Sequence, residues 1–140
     1  MSRRLLVFCA LVTAVACGGA DSVAPRVSPS GLWTLRTVNN AALPYTLPWS
    51  PNGYPTTILG ASLAISGTDS GSYTEIIEAR VVTSARTIDT SLTFSGSWAL
   101  TGDSITFDDK ASADVYQGSV TIDTIVKIVL FGFSGEYSRP

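Results

Sequence analysis

The chain has 140 residues, of which 45% are hydrophobic and 14% are charged, and this balance is typical of a folded rather than a disordered protein. It carries 9 basic and 11 acidic residues, for a formal net charge of -2. Because nucleic-acid binding depends on a positively charged surface, nucleic acid is not an expected partner. The sequence contains no His, which excludes Ser-His-Asp and Cys-His catalysis and removes the commonest transition-metal ligand.

The remaining acidic residues do not form a pattern that points to a reaction or to a metal. Asp108 and Asp109 are adjacent, so on a strand they point to opposite faces and make a poor acid-base pair. Asp69 and Asp103 lie in turn-like segments and do not have the ligand spacing of a calcium-binding loop. We therefore expect no catalytic residues, no cofactor and no bound metal.

Residues 1–16 have the pattern of a cleaved export signal. Arg3 and Arg4 precede an apolar run, and Ala14-Val15-Ala16 satisfies the A-x-A rule for signal cleavage. The apolar run is about ten residues long, whereas a membrane span needs ~20. The segment that ends in Cys17 resembles a lipobox, and the resemblance implies a bacterial lipoprotein with a lipid on Cys17. Ordinary secretion with a free Cys17 is the alternative.

A lipid on Cys17 also agrees with the cysteine count. Cys9 leaves with the signal, so Cys17 has no partner in a compartment that favours disulfides. Residues 17–26 are expected to form a lipidated flexible tether, and residues 27–140 have the length of one domain. The predicted location is the bacterial cell envelope, at the outer membrane, facing the periplasm or the surface. We expect a monomer whose contact with the membrane is the lipid.

Alternation of apolar with small or polar residues dominates residues 27–140 and predicts an all-β domain. About eight strands are expected, over residues 32–39, 57–66, 72–83, 86–94, 96–101, 104–109, 114–122 and 124–131. The segments 86–94 and 96–101 are either one long strand or two strands that meet near Gly96. Short consecutive antiparallel strands favour an up-and-down barrel, because closure removes exposed edges. A β-sandwich is the alternative.

Several short motifs resemble the lipocalin-like bacterial lipoproteins and follow one another in the same order. They are Gly31-Leu32-Trp33-Thr34-Leu35, Val38-Asn39-Asn40, Leu43-Pro44, Tyr73-Thr74-Glu75, Gly96-Ser97-Trp98, Gly102-Asp103-Ser104-Ile105 and Tyr137-Ser138-Arg139. The resemblance implies a calycin-type barrel in which Gly31 and Trp33 open the first strand. It also implies that Arg139 stacks on Trp33 and closes one end of the barrel. An exposed Arg139 beside a frayed C-terminus is the alternative.

The segment between the first two strands contains the main candidates for ligand binding. Four prolines restrict the backbone of residues 43–55, and in lipocalins the corresponding loop lies across the mouth of the barrel. Tyr45, Trp49 and Tyr54, together with Trp98, are predicted to contact a small apolar or amphipathic ligand. The alternative is that the rings plug a filled barrel, which would then serve as a structural or protein-interaction module.

Glu75 is the charged candidate for the barrel interior. Alternation places it on one face with Tyr73, while Glu78 and Arg80 lie on the other face. If the first face points inward, Glu75 is a buried carboxylate that needs a partner or a ligand. If the second face points inward, Glu78 and Arg80 lie near one another on a polar wall of the barrel interior. Solvated charges, around a β-bulge or on a strand that projects past the barrel, are the alternative. Lys127 lies in an otherwise apolar strand, so it too is either a buried charge that needs a partner or a solvated charge.

Overall fold

A computed structural model describes residues 27–49, 53–129 and 132–140. The predicted signal peptide and tether, residues 1–26 with Cys17, lie outside the described residues. The strands are β1 (Gly31–Val38), β2 (Ala41–Ala42), β3 (Tyr45–Thr46), β4 (Thr56–Gly67), β5 (Ser70–Val82), β6 (Thr87–Thr101), β7 (Ser104–Asp109), β8 (Val115–Val120), β9 (Thr124–Val129) and β10 (Phe133–Ser138). No helix in the described part of the chain is long and apolar enough to cross a membrane.

Eight of these strands close into an antiparallel barrel. Strands β4 to β10 pair in chain order, and β1 completes the circle by pairing with β10 on one side and β4 on the other. The two-residue strands β2 and β3 attach the long first loop to β1 and β4, respectively. The expected all-β barrel is therefore confirmed, and the β-sandwich alternative is not observed.

Most strand boundaries lie within two residues of those predicted from the sequence, but the strand list needs a correction. The segments 86–94 and 96–101 form the single strand β6, and β10 is absent from the strands predicted by alternation, although the motif Tyr137-Ser138-Arg139 was expected to close the last strand. The one-strand alternative for residues 86–101 is thus the observed one, and the barrel still has eight strands because β10 adds one. Gly135 explains the omission, because it occupies an inward position of β10 without a side chain to signal the alternation.

The two ends of the barrel differ in the chain segments that they carry. The terminal end carries the start of β1, the end of β10 and three short turns, residues 68–69, 102–103 and 121–123. The loop end carries the described parts of the first loop, residues 39–49 and 53–55, and the turns 83–86 and 110–114. β6 pairs with β5 along most of its length, but it pairs with β7 only from Gly96 to Thr101. The β5–β6 hairpin therefore extends past β7 at the loop end.

The barrel interior is filled mainly by apolar side chains, which occupy alternate positions of each strand and point inward, as in other small barrels. The largest of these side chains that are fully buried are Trp33, Tyr137, Phe107, Leu63, Ile77, Ile105 and Ile125. Among the described residues, the charged side chains of Glu75, Asp109 and Lys127 are buried with them. A buried charge is costly unless it is paired, so these three residues are the first candidates for a functional site.

Candidate functional site

The terminal end of the barrel is closed by a contact between its first and last strands. The guanidinium carbon of Arg139 lies 4.6 Å from the ring centroid of Trp33, and the Trp33 indole N–H donates to the Pro29 carbonyl at 2.7 Å. Arg139 also donates to the Ser28 carbonyl at 2.8 Å. Gly31 has a φ of 131°, and a Cβ there would lie 3.6 Å from Arg139 Nη1. A cation over an indole contributes about 0.5–2 kcal/mol, and here it joins the two ends of the domain.

Trp98 also lies toward the terminal end. It pairs with Gly71 close to the turn between β4 and β5, and its indole N–H donates to the Ser66 carbonyl at 2.8 Å. Its side chain is buried. The structure therefore does not bring Trp98 together with the aromatic residues of the first loop, with which the sequence analysis grouped it.

Glu75 is buried in the barrel and forms the centre of a hydrogen-bonded group. The face of β5 that carries Tyr73 and Glu75 points inward, and the face that carries Glu78 and Arg80 is exposed. Lys127 Nζ donates to Glu75 Oε2, and the Tyr137 hydroxyl donates to Glu75 Oε1. The two charged side chains are only 2% and 3% exposed, so the ion pair is desolvated. Each carboxylate oxygen thus has a donor from a different strand.

Aromatic rings surround the ammonium group of Lys127. Its Nζ atom lies 4.9 Å from the ring centroid of Phe107, 5.2 Å from that of Tyr73 and 5.6 Å from that of Tyr116. All three distances are within the ~6 Å range of cation–π contacts. Burial, together with the charge of Glu75, raises the pKa of Tyr137 well above its ordinary value. Tyr137 therefore stays protonated and remains a donor to Glu75.

Asp109 caps the turn that follows β7. Its Oδ1 accepts hydrogen bonds from the Ala111 amide at 2.7 Å and the Ser112 amide at 2.8 Å, and the Tyr73 hydroxyl donates to its Oδ2 at 3.4 Å. Burial raises the pKa of Asp109, but the donated hydrogen bonds outweigh burial and hold the pKa below its usual value. Burial, with the charges of Asp109 and Glu75, raises the pKa of Tyr73. Asp109 is thus a satisfied turn cap.

An aromatic cluster lies at the loop end of the barrel. The rings of Tyr45 and Trp49 both contact Phe133, with centroid distances of 6.2 Å and 6.0 Å. Phe133 is buried, whereas Trp49 is 51% exposed and Tyr54 is 43% exposed. The sequence pattern predicted the three loop residues but not Phe133, because Phe133 begins β10, which the alternation pattern did not reveal. In the sequence, the only sign of this residue was a second aromatic side chain in the segment Phe131-Gly132-Phe133.

The extended part of the β5–β6 hairpin provides further apolar surface at the same end. This segment, which we term the arm, comprises residues 77–82 of β5 and 87–94 of β6. Its inward face carries Ile77, Ala79, Val81, Ile88, Leu92 and Phe94. Leu92 is 39% exposed, and Phe94 packs against the barrel core. The loop end therefore combines exposed apolar side chains, such as Trp49 and Leu92, with buried apolar side chains, such as Phe133.

An open groove of about 490 Å³ lies on the outside of the sheet, where β7 meets β6. Its lining is mostly hydroxyl-bearing and charged, with Ser72, Thr74, Ser95, Ser97, Asp108 and Lys110. Tyr73 and Gly96 complete the lining. The groove is therefore separate in its chemistry from the aromatic cluster at the loop end.

No protein-family model matches the chain, and neither a curated protein nor a solved structure is detectably similar to it. Within the described ranges, no group of three or more His, Cys, Asp or Glu side chains is placed to hold a metal ion. Every buried side-chain nitrogen or oxygen in this part of the chain has a hydrogen-bond partner. The interior polar groups are thus satisfied without a ligand, and the exposed aromatic side chains of the described residues, Trp49 and Tyr54, are at the loop end.

Proposed function

We propose that this chain is a lipocalin-like envelope lipoprotein whose barrel binds a small apolar or amphipathic molecule noncovalently at the loop end. The observation that supports the proposal is the aromatic cluster, in which Trp49 is half exposed above the buried ring of Phe133. Exposed aromatic groups over an apolar base are typical of ligand pockets. The exposed Leu92 on the arm extends the apolar surface at the same end.

Within this proposal, the predicted ligand residues have different roles. Trp49 and Tyr54 have exposed ring surface for a ligand, and Tyr45 holds the loop against Phe133. Glu75 is less suited to direct contact, because Lys127 and Tyr137 already donate to its two oxygens. Trp98 is buried toward the opposite end and has no part in the proposed site.

Dye binding and native mass spectrometry test the proposal. The full chain is purified from bacterial cells and weighed before and after organic extraction, and it is titrated with an environment-sensitive aromatic dye. Trp49→Ala is expected to weaken dye binding about tenfold, because removing one aromatic anchor typically costs 1–2 kcal/mol or more. Leu32→Ala is the matched control, since Leu32 is 53% exposed on β1 near the terminal end, and this variant should bind the dye unchanged.

The competing proposal is a filled barrel that acts as a structural or protein-interaction module. It is supported by the buried polar groups, all of which are paired within the described part of the chain. No extractable mass and no dye binding by the unchanged chain would favour this proposal. Equal loss of dye binding in Trp49→Ala and Leu32→Ala would also contradict a site at the loop end.

A further inference from the structure

We propose that two copies of this chain associate through the free edge of β6, residues 87–94, and so join their arms into one antiparallel sheet. The inference goes beyond ligand binding and does not depend on it. It starts from the unequal pairing of β6, which has β5 beside it along the arm but β7 only from Gly96 onward.

Two backbone hydrogen bonds show which residues of β6 present this edge. The Leu100 amide donates to the Asp69 carbonyl on the β5 side, and the Ser95 carbonyl accepts from the Lys110 amide on the β7 side. Since successive residues of a strand direct their backbone groups to alternate sides, the odd-numbered residues face away from β5. Thr87, Asp89, Ser91 and Thr93 therefore present the edge, and no strand among residues 27–49, 53–129 and 132–140 pairs with it.

The edge has few of the features that protect exposed strands from association. Native proteins blunt such edges with proline, lysine or bulges, and residues 87–94 contain no proline and no lysine. Asp89 is the one charged residue there, and Arg80 of the same sheet binds it through two hydrogen bonds of 2.7 Å and 2.8 Å. The charge that would repel a second copy is thus already neutralised.

The sequence of the edge is self-complementary when the two-fold axis lies at Thr90. With the two-fold axis at Thr90, Ile88 faces the partner subunit's Leu92, and Asp89 faces the partner subunit's Ser91. Leu92, which is 39% exposed, then gains an apolar cross-strand neighbour. An axis at Asp89 would oppose two carboxylates, and an axis at Ser91 would require the Ser95 carbonyl, which already accepts from Lys110.

The pairing needs only residues 87–93 of each copy, and β6 pairs with β7 only from Gly96 onward. In an antiparallel pairing the two barrels lie at opposite ends of the joined arms, because β6 enters each barrel only at Gly96. The pairing uses only the strand edges, so it does not cover the inward face of either arm, which stays at the loop end of its own barrel. A self-complementary edge fits a second copy of the chain better than an unrelated strand, since an isologous interface needs one patch that pairs with itself.

Cysteine cross-linking tests the register. The experiment uses the full chain with Cys9→Ser and Cys17→Ser, to which Thr90→Cys or Thr93→Cys is added. At the two-fold axis, Thr90 would form a non-hydrogen-bonded pair with Cα atoms about 4.5 Å apart, within the range of a disulfide. Two Thr93 residues, on the same edge, would be about 20 Å apart. We expect Thr90→Cys to form a disulfide-linked dimer under mild oxidation at least about tenfold faster than Thr93→Cys.

A proline variant tests the edge without cross-linking. Ser91→Pro removes an outward amide and keeps the hydrogen bonds to β5, so the barrel should unfold at an unchanged temperature. Two hydrogen bonds are lost per dimer, and the dimer dissociation constant measured by sedimentation equilibrium is expected to rise about tenfold or more. Ser91→Thr, which keeps the amide, is the control. A monomer at all concentrations, as expected from the sequence, overturns the inference, as do equal cross-linking rates or a Ser91→Pro chain that dimerises normally.

Discussion

Lys127 has a glycine on each side of it in the sheet, Gly118 of β8 and Gly135 of β10. Because neither neighbour has a side chain, there is space beside Lys127 at this level of the barrel. Its long side chain is accommodated there, and its ammonium group is held by Glu75 and three aromatic rings. The two glycines and the lysine are thus one structural unit, although they lie on three strands.

The buried ion pair leads to a prediction about stability. Lys127→Met should lower the free energy of unfolding by about 3–5 kcal/mol, because it leaves the Glu75 carboxylate buried without its counter-charge. Glu75→Gln added to Lys127→Met should recover part of this loss, since the amide oxygen of Gln still accepts from Tyr137. The free energies of unfolding of the native chain, Lys127→Met and the double variant are measured by denaturant titration. A loss below about 1 kcal/mol in Lys127→Met would mean that water reaches the pair.

At the scale of the element, β6 depends on Gly96. Gly96 lies opposite Tyr73 of β5 on the inward face and beside Asp109 of β7. A Cβ at this position would overlap the Asp108 carbonyl oxygen and lie 3.1 Å from Tyr73 Cε1. The close approach of three strands therefore requires glycine at the point where β6 passes from the arm into the barrel.

Alanine substitution at two glycines should distinguish a steric effect at Gly96 from the general effect of replacing glycine by alanine on stability. Gly96→Ala is expected to destabilise the barrel by about 2 kcal/mol or more, because the rigid backbone of β7 must move. Gly60→Ala on β4 is the control, since its Cβ would meet only Glu78 Oε2, at 3.9 Å, and its effect should be within about 1 kcal/mol. Thermal unfolding of both variants makes the comparison. Equal stabilities would contradict a tight packing role for Gly96.

At the scale of the whole molecule, both ends of the domain meet at the terminal end of the barrel. Arg139 near the C-terminus contacts Ser28 and Trp33 near the start of the described chain. A tether that precedes residue 27 therefore joins the barrel at the end opposite the aromatic cluster.

The proposed anchor is tested on the full chain in bacterial cells. Labelled palmitate should be incorporated, and Cys17→Ser should abolish the label and move the protein from the membrane to the soluble fraction. Two or more acyl chains are needed for stable anchoring, at about 0.8 kcal/mol per buried methylene. Cys9→Ser is the control and should be labelled normally, because Cys9 lies within the predicted signal. An unlabelled native chain would support ordinary secretion instead.

Local chemistry in the sequence was enough to predict the fold class and most of the strands. Alternating side chains reveal which residues share a face, and turn residues such as Gly102 and Asp103 mark where a strand ends. The same reasoning identified the aromatic loop and recognised that an inward Glu75 would need a partner. It did not detect β10, because a glycine at an inward position carries no sign of burial.

Only the tertiary structure decided which residues meet across the barrel. Glu75, Lys127 and Tyr137 come from β5, β9 and β10, and their contact depends on barrel closure and strand register rather than on spacing along the chain. The free edge of β6 has the same origin, since it follows from the different lengths over which β5 and β7 pair with one strand. Alternation within a segment is a local property, whereas partners across a sheet are set by the packing of the whole chain.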